Sequence, residues 1–196
     1  MNDFEDYLEV GGGVLVAIFF IVAIYRFFRG WRQSNALGHW NHQVDDFQFS
    51  SHEFYNKLES ALKTSKIEGL ETKTVYHHEG IWFVSPKRMY LRVIWKGKII
   101  DICAASFGKG FFFSWWLFEK IMLWEIIIMS FPIIGNLLVN FFNPMTFYRI
   151  DTASMFQSYV HTYVLNLIDE ITKENNIQGL TEAQRKPMLN DIFKRK

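Results

Sequence analysis

Residues 111–142 read FFFSWWLFEKIMLWEIIIMSFPIIGNLLVNFF, a run of 32 residues with only three charges, Glu119, Lys120 and Glu125. A helix that crosses a bilayer needs about 20 mostly apolar residues, so the run is longer than one crossing and shorter than two crossings with a turn. It predicts a second membrane block. The three charges are its candidate functional residues, because ionisable groups inside a membrane are rare and costly.

Two arrangements of this block remain open, because Pro132 and Gly135 can break or kink a helix inside it. In the first, residues 111–119 form a last strand or an interfacial segment, and residues 121–142 cross the membrane once. In the second, the block is a helical hairpin that enters and leaves on the same side. The aromatic residues at its start are predicted to anchor the chain among the lipid headgroups. They are Phe111, Phe112, Phe113, Trp115 and Trp116.

A first membrane segment is predicted near residues 10–28, because residues 10–25 carry no charge and are preceded by acidic and followed by arginine-rich sequence. Tyr25, Arg26 and Trp31 are expected at its membrane interface. A cleaved signal peptide is the alternative, but it requires a basic start and a small-residue cleavage site, and the flanks differ from both. The arginines orient the following domain toward the cytoplasm, which predicts a two-segment or multi-pass protein of the cell inner membrane.

The polar part of the chain has the pattern of a small α+β domain. Ser50 and Glu53 fit a capping box, and apolar residues at four-residue spacing then predict a helix. From Thr72 to Phe107, β-prone runs are separated by turns that contain Gly or Pro, which favours an antiparallel β-meander. Gly97, between two lysines, is expected in one of these turns.

The C-terminal part predicts an amphipathic helix that packs on this domain and keeps the C-terminus in the cytoplasm. Its apolar stripe consists of Phe156, Val160, Tyr163, Val164, Leu167, Ile168 and Ile171. The predicted fold class is therefore an α+β membrane protein. Its expected regions are an N-terminal transmembrane anchor at 1–32, a cytoplasmic domain at 33–110, the second membrane block at 111–142 and a C-terminal helical segment at 143–196.

Chemical motifs are weak. The chain has no phosphate-binding loop, dinucleotide fingerprint or zincin motif, so no catalytic, cofactor or metal site is predicted. His77 and His78 would point to opposite faces of a strand, which disfavours a shared metal. Cys103 in an apolar strand is interpreted as a buried structural thiol, and a lone cysteine forms no internal disulfide. A net charge of +1 argues against a dedicated nucleic-acid binder.

The stretch DICAASFGKGFFFSWW, residues 101–116, followed by an apolar block, resembles a group of bacterial membrane proteins of unassigned activity. The similarity of layout covers residues 39–170 and carries no catalytic motif. By architecture alone, two membrane segments with a cytoplasmic domain also resemble the membrane effectors of bacterial anti-phage systems, including those partnered with retrons. That resemblance implies activation that damages the inner membrane and stops infection by killing the cell.

The sequence thus favours a non-enzymatic effector of the inner membrane. A signal or a protein partner would act on the cytoplasmic domain, and the apolar block would then reorganise, or form a homo-oligomer with other copies of the chain, to perturb the lipid bilayer. One alternative is a structural or scaffold subunit of an envelope complex. Another is a lipid-modifying membrane enzyme that uses Glu119 or Asp101.

Overall fold

The computed structural model describes residues 20–22, 24, 36–78, 87–120, 122–129, 131 and 135–189. The chain divides into two compact units. One unit comprises Met1–Ser34 and Ile121–Thr146, and the other comprises Asn35–Lys120 and Phe147–Lys196. The second unit contains a β-sheet and two helices, and it holds most of the described residues.

An antiparallel sheet is the centre of the second unit. Its strands are β1 (Ala36–Val44), β2 (Glu71–His78), β3 (Lys87–Trp95), β4 (Lys98–Phe107), β5 (Gly110–Glu119) and the two-residue β6 (Met188–Leu189). They lie in the order β2-β3-β4-β5-β1-β6. Strands β2 to β5 are therefore a meander, β1 adds to the free side of β5, and β6 from the end of the chain pairs with β1.

Two helices pack on one face of this sheet. Helix α1 (Ser51–Thr64) begins after Ser50, whose side chain accepts a hydrogen bond from the Glu53 N–H at 3.3 Å, as the capping pattern predicts. The long helix of this unit, α4, spans Phe147–Glu174. Phe54 of α1 contacts Phe113 of β5 with ring centroids 5.1 Å apart, and Phe156 of α4 lies 5.9 Å from Trp95 of β3.

Alternation along the strands decides which side chains enter this core. Successive residues of a strand point to opposite faces, so every second residue of β4 and β5 faces the helices. Those residues are almost fully buried: Ile100, Ile102, Ala104, Phe111, Phe113, Trp115 and Leu117. Their burial removes a large apolar area from water and is the main favourable contribution to folding of this unit.

The described residues of the first unit include two short helices, α2 (Leu123–Met129) and α3 (Gly135–Phe142). Residues 20–22 and 24 are also helical. Glu125 is buried in this unit, where its carboxylate accepts hydrogen bonds from the Met122 N–H at 2.7 Å and from the Asn143 side-chain amide. The first of these bonds satisfies a backbone donor at the start of α2.

The structure corrects the predicted fold class. Among the described residues, no helix is both long enough and apolar enough to cross a membrane. Residues 111–119 belong to β5, and the next two elements, α2 and α3, are helices of 7 and 8 residues. The prediction of a membrane protein with a transmembrane helix and a second membrane block is therefore wrong, and so is the predicted multi-pass inner-membrane localisation. Most of the expected anchor at 10–28 lies outside the described residues.

The error has a physical cause. Strand β5 is apolar on both of its faces, and a continuous apolar run in a buried strand has the same hydropathy as part of a membrane segment. The α+β architecture with an antiparallel meander, which the pattern of residues 50–110 predicts, is present in the second unit.

Strands β3 and β4 separate halfway along their length. They pair from Leu91–Ile102 to Trp95–Lys98, whereas β3 pairs with β2 as far as Lys87 and β4 pairs with β5 as far as Phe107. Tyr55 of α1 fills the gap from the helix side. Its hydroxyl lies 2.9 Å from the Met89 carbonyl, to which it donates, and accepts from the Ala104 N–H at 2.9 Å.

We expect Tyr55→Phe to lower the free energy of unfolding by about 1–3 kcal/mol, because it leaves buried backbone groups of β3 and β4 without a partner. Equilibrium urea unfolding measures the loss. Tyr76→Phe is the matched control, since Tyr76 is 54% exposed on β2, and it should change stability by less than about 0.5 kcal/mol. Equal effects of the two variants would show that the bridge is not a stabilising contact.

Candidate functional site

The face of the sheet opposite α1 and α4, here called the outer face, collects polar side chains from four strands. Cross-strand register and alternation place them on this face together. They are His77, Arg88, Tyr90, Arg92, Asp101, Cys103 and Ser114, and we call them the outer-face cluster. Asp101, Cys103 and Ser114 are buried at its centre, and the side chains of His77 and Arg88 lie exposed at its margin.

Asp101 organises one half of the cluster. Its carboxylate accepts from Arg92 Nε at 2.7 Å on one oxygen and from Arg92 Nη2 at 2.7 Å on the other. The Nε2 atom of His77 lies 2.9 Å from the second oxygen. Asp101 is 3% exposed, so these charge-assisted bonds replace the water that the carboxylate would otherwise bind.

The separation of β3 from β4 shapes the other half. Arg88, Tyr90 and Ser114 lie close to the Cys103 thiol, and Arg88 also lies close to Tyr90. The ring of Tyr90 meets the ring of His77 edge-on at 5.0 Å, which joins the two halves. The strand gap that Tyr55 closes on the helix side is thus lined on the outer face by Arg88, Tyr90 and Cys103.

Thiol chemistry is a poor fit to this geometry. Burial raises the pKa of Cys103 above its ordinary value, although Arg88 and the hydrogen bonds from Arg88, Tyr90 and Ser114 oppose the rise. A nucleophilic cysteine needs the opposite shift and an accessible sulfur, whereas Cys103 is 1% exposed. The pair of Asp101 and His77 resembles the acid and base of a catalytic triad. The raised pKa of Cys103 nevertheless keeps its sulfur protonated, so the reactive thiolate is missing.

Binding of an anion is a better fit. Arg88 is exposed, and its contacts within the cluster are neutral groups, Tyr90 and Cys103. Among the ion pairs formed by the described residues, none involves Arg88. A guanidinium presents several donors in one plane, which suits phosphate or carboxylate oxygens. No group of three or more His, Cys, Asp or Glu in the described part of the chain could hold a metal ion.

Glu119, which the sequence singles out, lies elsewhere, on the helix-facing side at the end of β5. It forms ion pairs with Lys98 of β4 and with Arg149 in the first turn of α4, whose Nη2 atom is 2.6 Å from a carboxylate oxygen. Burial raises the pKa of Glu119, but the hydrogen bonds and charges of Arg149 and Lys98 outweigh it and hold the pKa below its usual value. Lys98 is 4% exposed, so Glu119 neutralises a buried cation.

The other predicted residues are dispersed. Lys120 is exposed, and its backbone N–H donates to the Gly97 carbonyl at 2.8 Å. Glu125 belongs to the first unit, whereas Glu119 and Lys120 belong to the second. Phe111, Phe113 and Trp115 lie in the core, whereas Phe112 and Trp116 face outward. Tyr25, Arg26 and Trp31 lie outside the described residues.

Sequence reasoning missed the outer-face cluster, although one signal could have revealed part of it. Lys96 and Gly97 both have positive φ, as a two-residue hairpin turn requires. Such a turn sets Trp95 opposite Lys98 and hence Arg92 opposite Asp101. The position of His77 depends on residues 79–86, which lie outside the described ranges. The prediction that His77 and His78 face opposite ways agrees with their register partners, Arg88 and Lys87.

Replacing Glu119 tests its structural role. We expect Glu119→Gln to lower the free energy of unfolding by about 2–4 kcal/mol at pH 7, because Lys98 stays buried without a carboxylate. Because the pKa of Glu119 is lowered in the folded chain, the carboxylate contributes its full stabilisation above the ordinary pKa of a glutamate. That stabilisation is lost as the pH falls through the lowered pKa. The variant should therefore lose less stability than the unsubstituted chain between pH 5 and pH 3. Glu68→Gln, at an exposed turn, is the control. A neutral effect of Glu119→Gln would contradict the assigned role.

The state of Cys103 can be measured directly, because it is the one cysteine in the chain. At pH 7.5, we expect an aromatic disulfide reagent to label the folded chain at least about a hundredfold more slowly than the urea-unfolded chain, since the thiol is buried and its pKa is raised. Labelling of the folded chain at the unfolded rate would show an accessible thiolate and would reopen the nucleophilic alternative.

Comparisons with known proteins give no relative from which a function could be transferred: no protein-family model, curated protein or solved structure matches this chain significantly.

Proposed function

We propose that this chain is a non-enzymatic effector whose α+β unit receives a ligand or partner through an anionic group, bound on the outer face of the sheet by Arg88. The observation that carries the proposal is the state of Arg88 itself. It is an exposed cation whose neighbours, Tyr90 and Cys103, are neutral, and it lies beside a gap between two strands. A cation held in this way keeps its charge available for an incoming phosphate or carboxylate.

The surrounding charges support an anion more than a cation. Asp101 is the buried acid of the cluster, and Arg92 and His77 already bind both of its oxygens. The negative charge of Asp101 is therefore matched within the cluster, and Arg88 adds a net positive charge.

The position of the site suits a receiving role. The gap between β3 and β4 leaves the local backbone with fewer strand contacts, so a ligand bound there can change how the strands pair. The predicted action on a bilayer depended on a spanning helix, and we do not propose it. The anti-phage resemblance stays a prediction from the sequence.

Ligand-induced stabilisation of the full chain tests the proposal. Inorganic pyrophosphate and citrate serve as probes, with sodium chloride at matched ionic strength as the reference. A ligand at ten times its Kd stabilises the folded chain by about 1.4 kcal/mol, which corresponds to a rise in Tm of roughly 3–5 °C. We expect at least one of the two probes to produce such a rise.

Two variants locate the effect. Arg88→Gln should abolish the rise, and Arg88→Lys should retain part of it, because lysine keeps the charge but loses the planar donors. Lys109→Gln removes the same charge from the exposed β4–β5 turn and should leave the rise unchanged. The proposal fails if neither probe stabilises the chain, or if Arg88→Gln and Lys109→Gln behave alike.

A further inference from the structure

The end of the described chain, residues 180–189, lies along the edge of the sheet that β1 forms. We call it the C-terminal segment. Within the described residues, its β6 pairs with β1 at two positions, Gly38 with Leu189 and His39 with Met188. The Trp40 indole N–H donates to the Gln184 carbonyl at 2.6 Å. Further contacts to the segment come from side chains of α4.

His161 of α4 supplies one of those contacts, and its protonation state can be assigned from its partners. The Trp115 indole N–H lies 3.0 Å from Nδ1 of His161. An indole nitrogen can only donate, so Nδ1 must be the unprotonated acceptor. The ring proton therefore sits on Nε2, which donates to the Arg185 carbonyl at 2.6 Å. The buried imidazole is neutral, and both of its nitrogens are used.

The remaining contacts tie the segment to the same helix. The Arg185 guanidinium binds both carboxylate oxygens of Asp169 at 2.8 and 2.9 Å, and its Nε donates to the Leu180 carbonyl. Of these charged groups, Arg185 acts directly on the pKa of His161, while Asp169 and Glu182 act on the pKa of Arg185. From the sheet, the uncharged indoles of Trp40 and Trp115 lie against it. His42 of β1 is a further titratable group, and its ring centroid lies 6.4 Å from that of Trp40.

We propose that His161 is a proton-operated latch, and that its protonation releases the C-terminal segment and uncovers the outer edge of β1. A second proton on the ring would have to go to Nδ1. There it would face the indole N–H of Trp115 across 3.0 Å, so one hydrogen bond would be replaced by two opposed donors. The bond from Nε2 to the Arg185 carbonyl would survive, but the positive ring would be buried beside the Arg185 guanidinium, and departure of the segment lets the ring turn away from Trp115 into water.

The surroundings of His161 set the direction of the pH dependence. Burial lowers the pKa of His161; the hydrogen bond to the Arg185 carbonyl opposes this shift, and the charge of Arg185 adds to it. The released form regains the ordinary histidine pKa of 6.5. It therefore binds the proton more tightly than the closed form, and opening increases as the pH falls below about 6.5. The ratio of open to closed chains rises by up to about tenfold for each unit between the two pKa values.

Hydrogen–deuterium exchange of the full chain at pH 7.5 and pH 5.5, corrected for the intrinsic rate at each pH, tests the latch. We expect peptides that cover residues 180–189 and 36–44 to lose protection at pH 5.5 by several-fold or more. Peptides from the central strand β4 should keep their protection. Unchanged protection of residues 180–189 at pH 5.5 would overturn the proposal.

Variants assign the effect to one imidazole. His161→Gln retains an acceptor and a donor without titrating, so protection should no longer depend on pH. His42→Gln and the exposed His52→Gln should keep the response of the unsubstituted chain. The assignment to His161 would be overturned if His42→Gln lost the pH-dependent change in protection, or if His161→Gln kept it. If His161→Gln does not fold, the test uses His42→Gln instead. In that variant, the pH at which half of the chains are open must equal the pH at which the NMR signal of the His161 ring is half titrated; different midpoints would overturn the proposal. The latch does not involve Arg88, so it can fail or hold independently of anion binding.

Discussion

The incomplete pairing of β3 with β4 is the constraint on which the rest of the sheet unit depends. Backbone groups that lose a strand partner inside a protein must find another, because an unpaired buried donor or acceptor is costly. On the helix side, the hydroxyl of Tyr55 takes that place and ties α1 to both strands at once. On the outer face, the same gap brings Arg88 and Tyr90 to the Cys103 thiol. One local departure from regular pairing therefore anchors a helix and creates the candidate site.

Several features could be predicted because their causes are local. The cap at Ser50 and the four-residue spacing of Phe54, Leu58 and Leu62 define α1, and the Lys96–Gly97 turn defines a hairpin. The amphipathic stripe of α4 also forms the buried side of that helix, including Phe156, Val160 and Val164. Each of these depends on residues only a few positions apart, which is the range over which periodicity and capping are informative.

The features that could not be predicted depend on distant contacts. Strand β5 has aromatic residues on both faces, so its hydropathy does not reveal that Phe113 meets α1 while Trp116 stacks on His39 of β1. Hydropathy alone cannot distinguish a lipid environment from a protein core. The cluster at Asp101 needs the register of three strands, and the surroundings of His161 need the end of the chain to return to β1. Neither is encoded by short-range spacing.

At the opposite end of the sheet from β6, strand β2 presents its outer edge. Unpaired strand edges invite other chains to extend the sheet, and proteins discourage this with charge. Strand β2 begins with Glu71 and carries Lys73 two positions later on the same face. A second chain that added there would have to bury or displace these charges. Among the described strands, the sheet is thus guarded differently at its two ends, by charged side chains along β2 and by a removable peptide cover along β1, so that growth of the sheet into an aggregate is disfavoured on both sides.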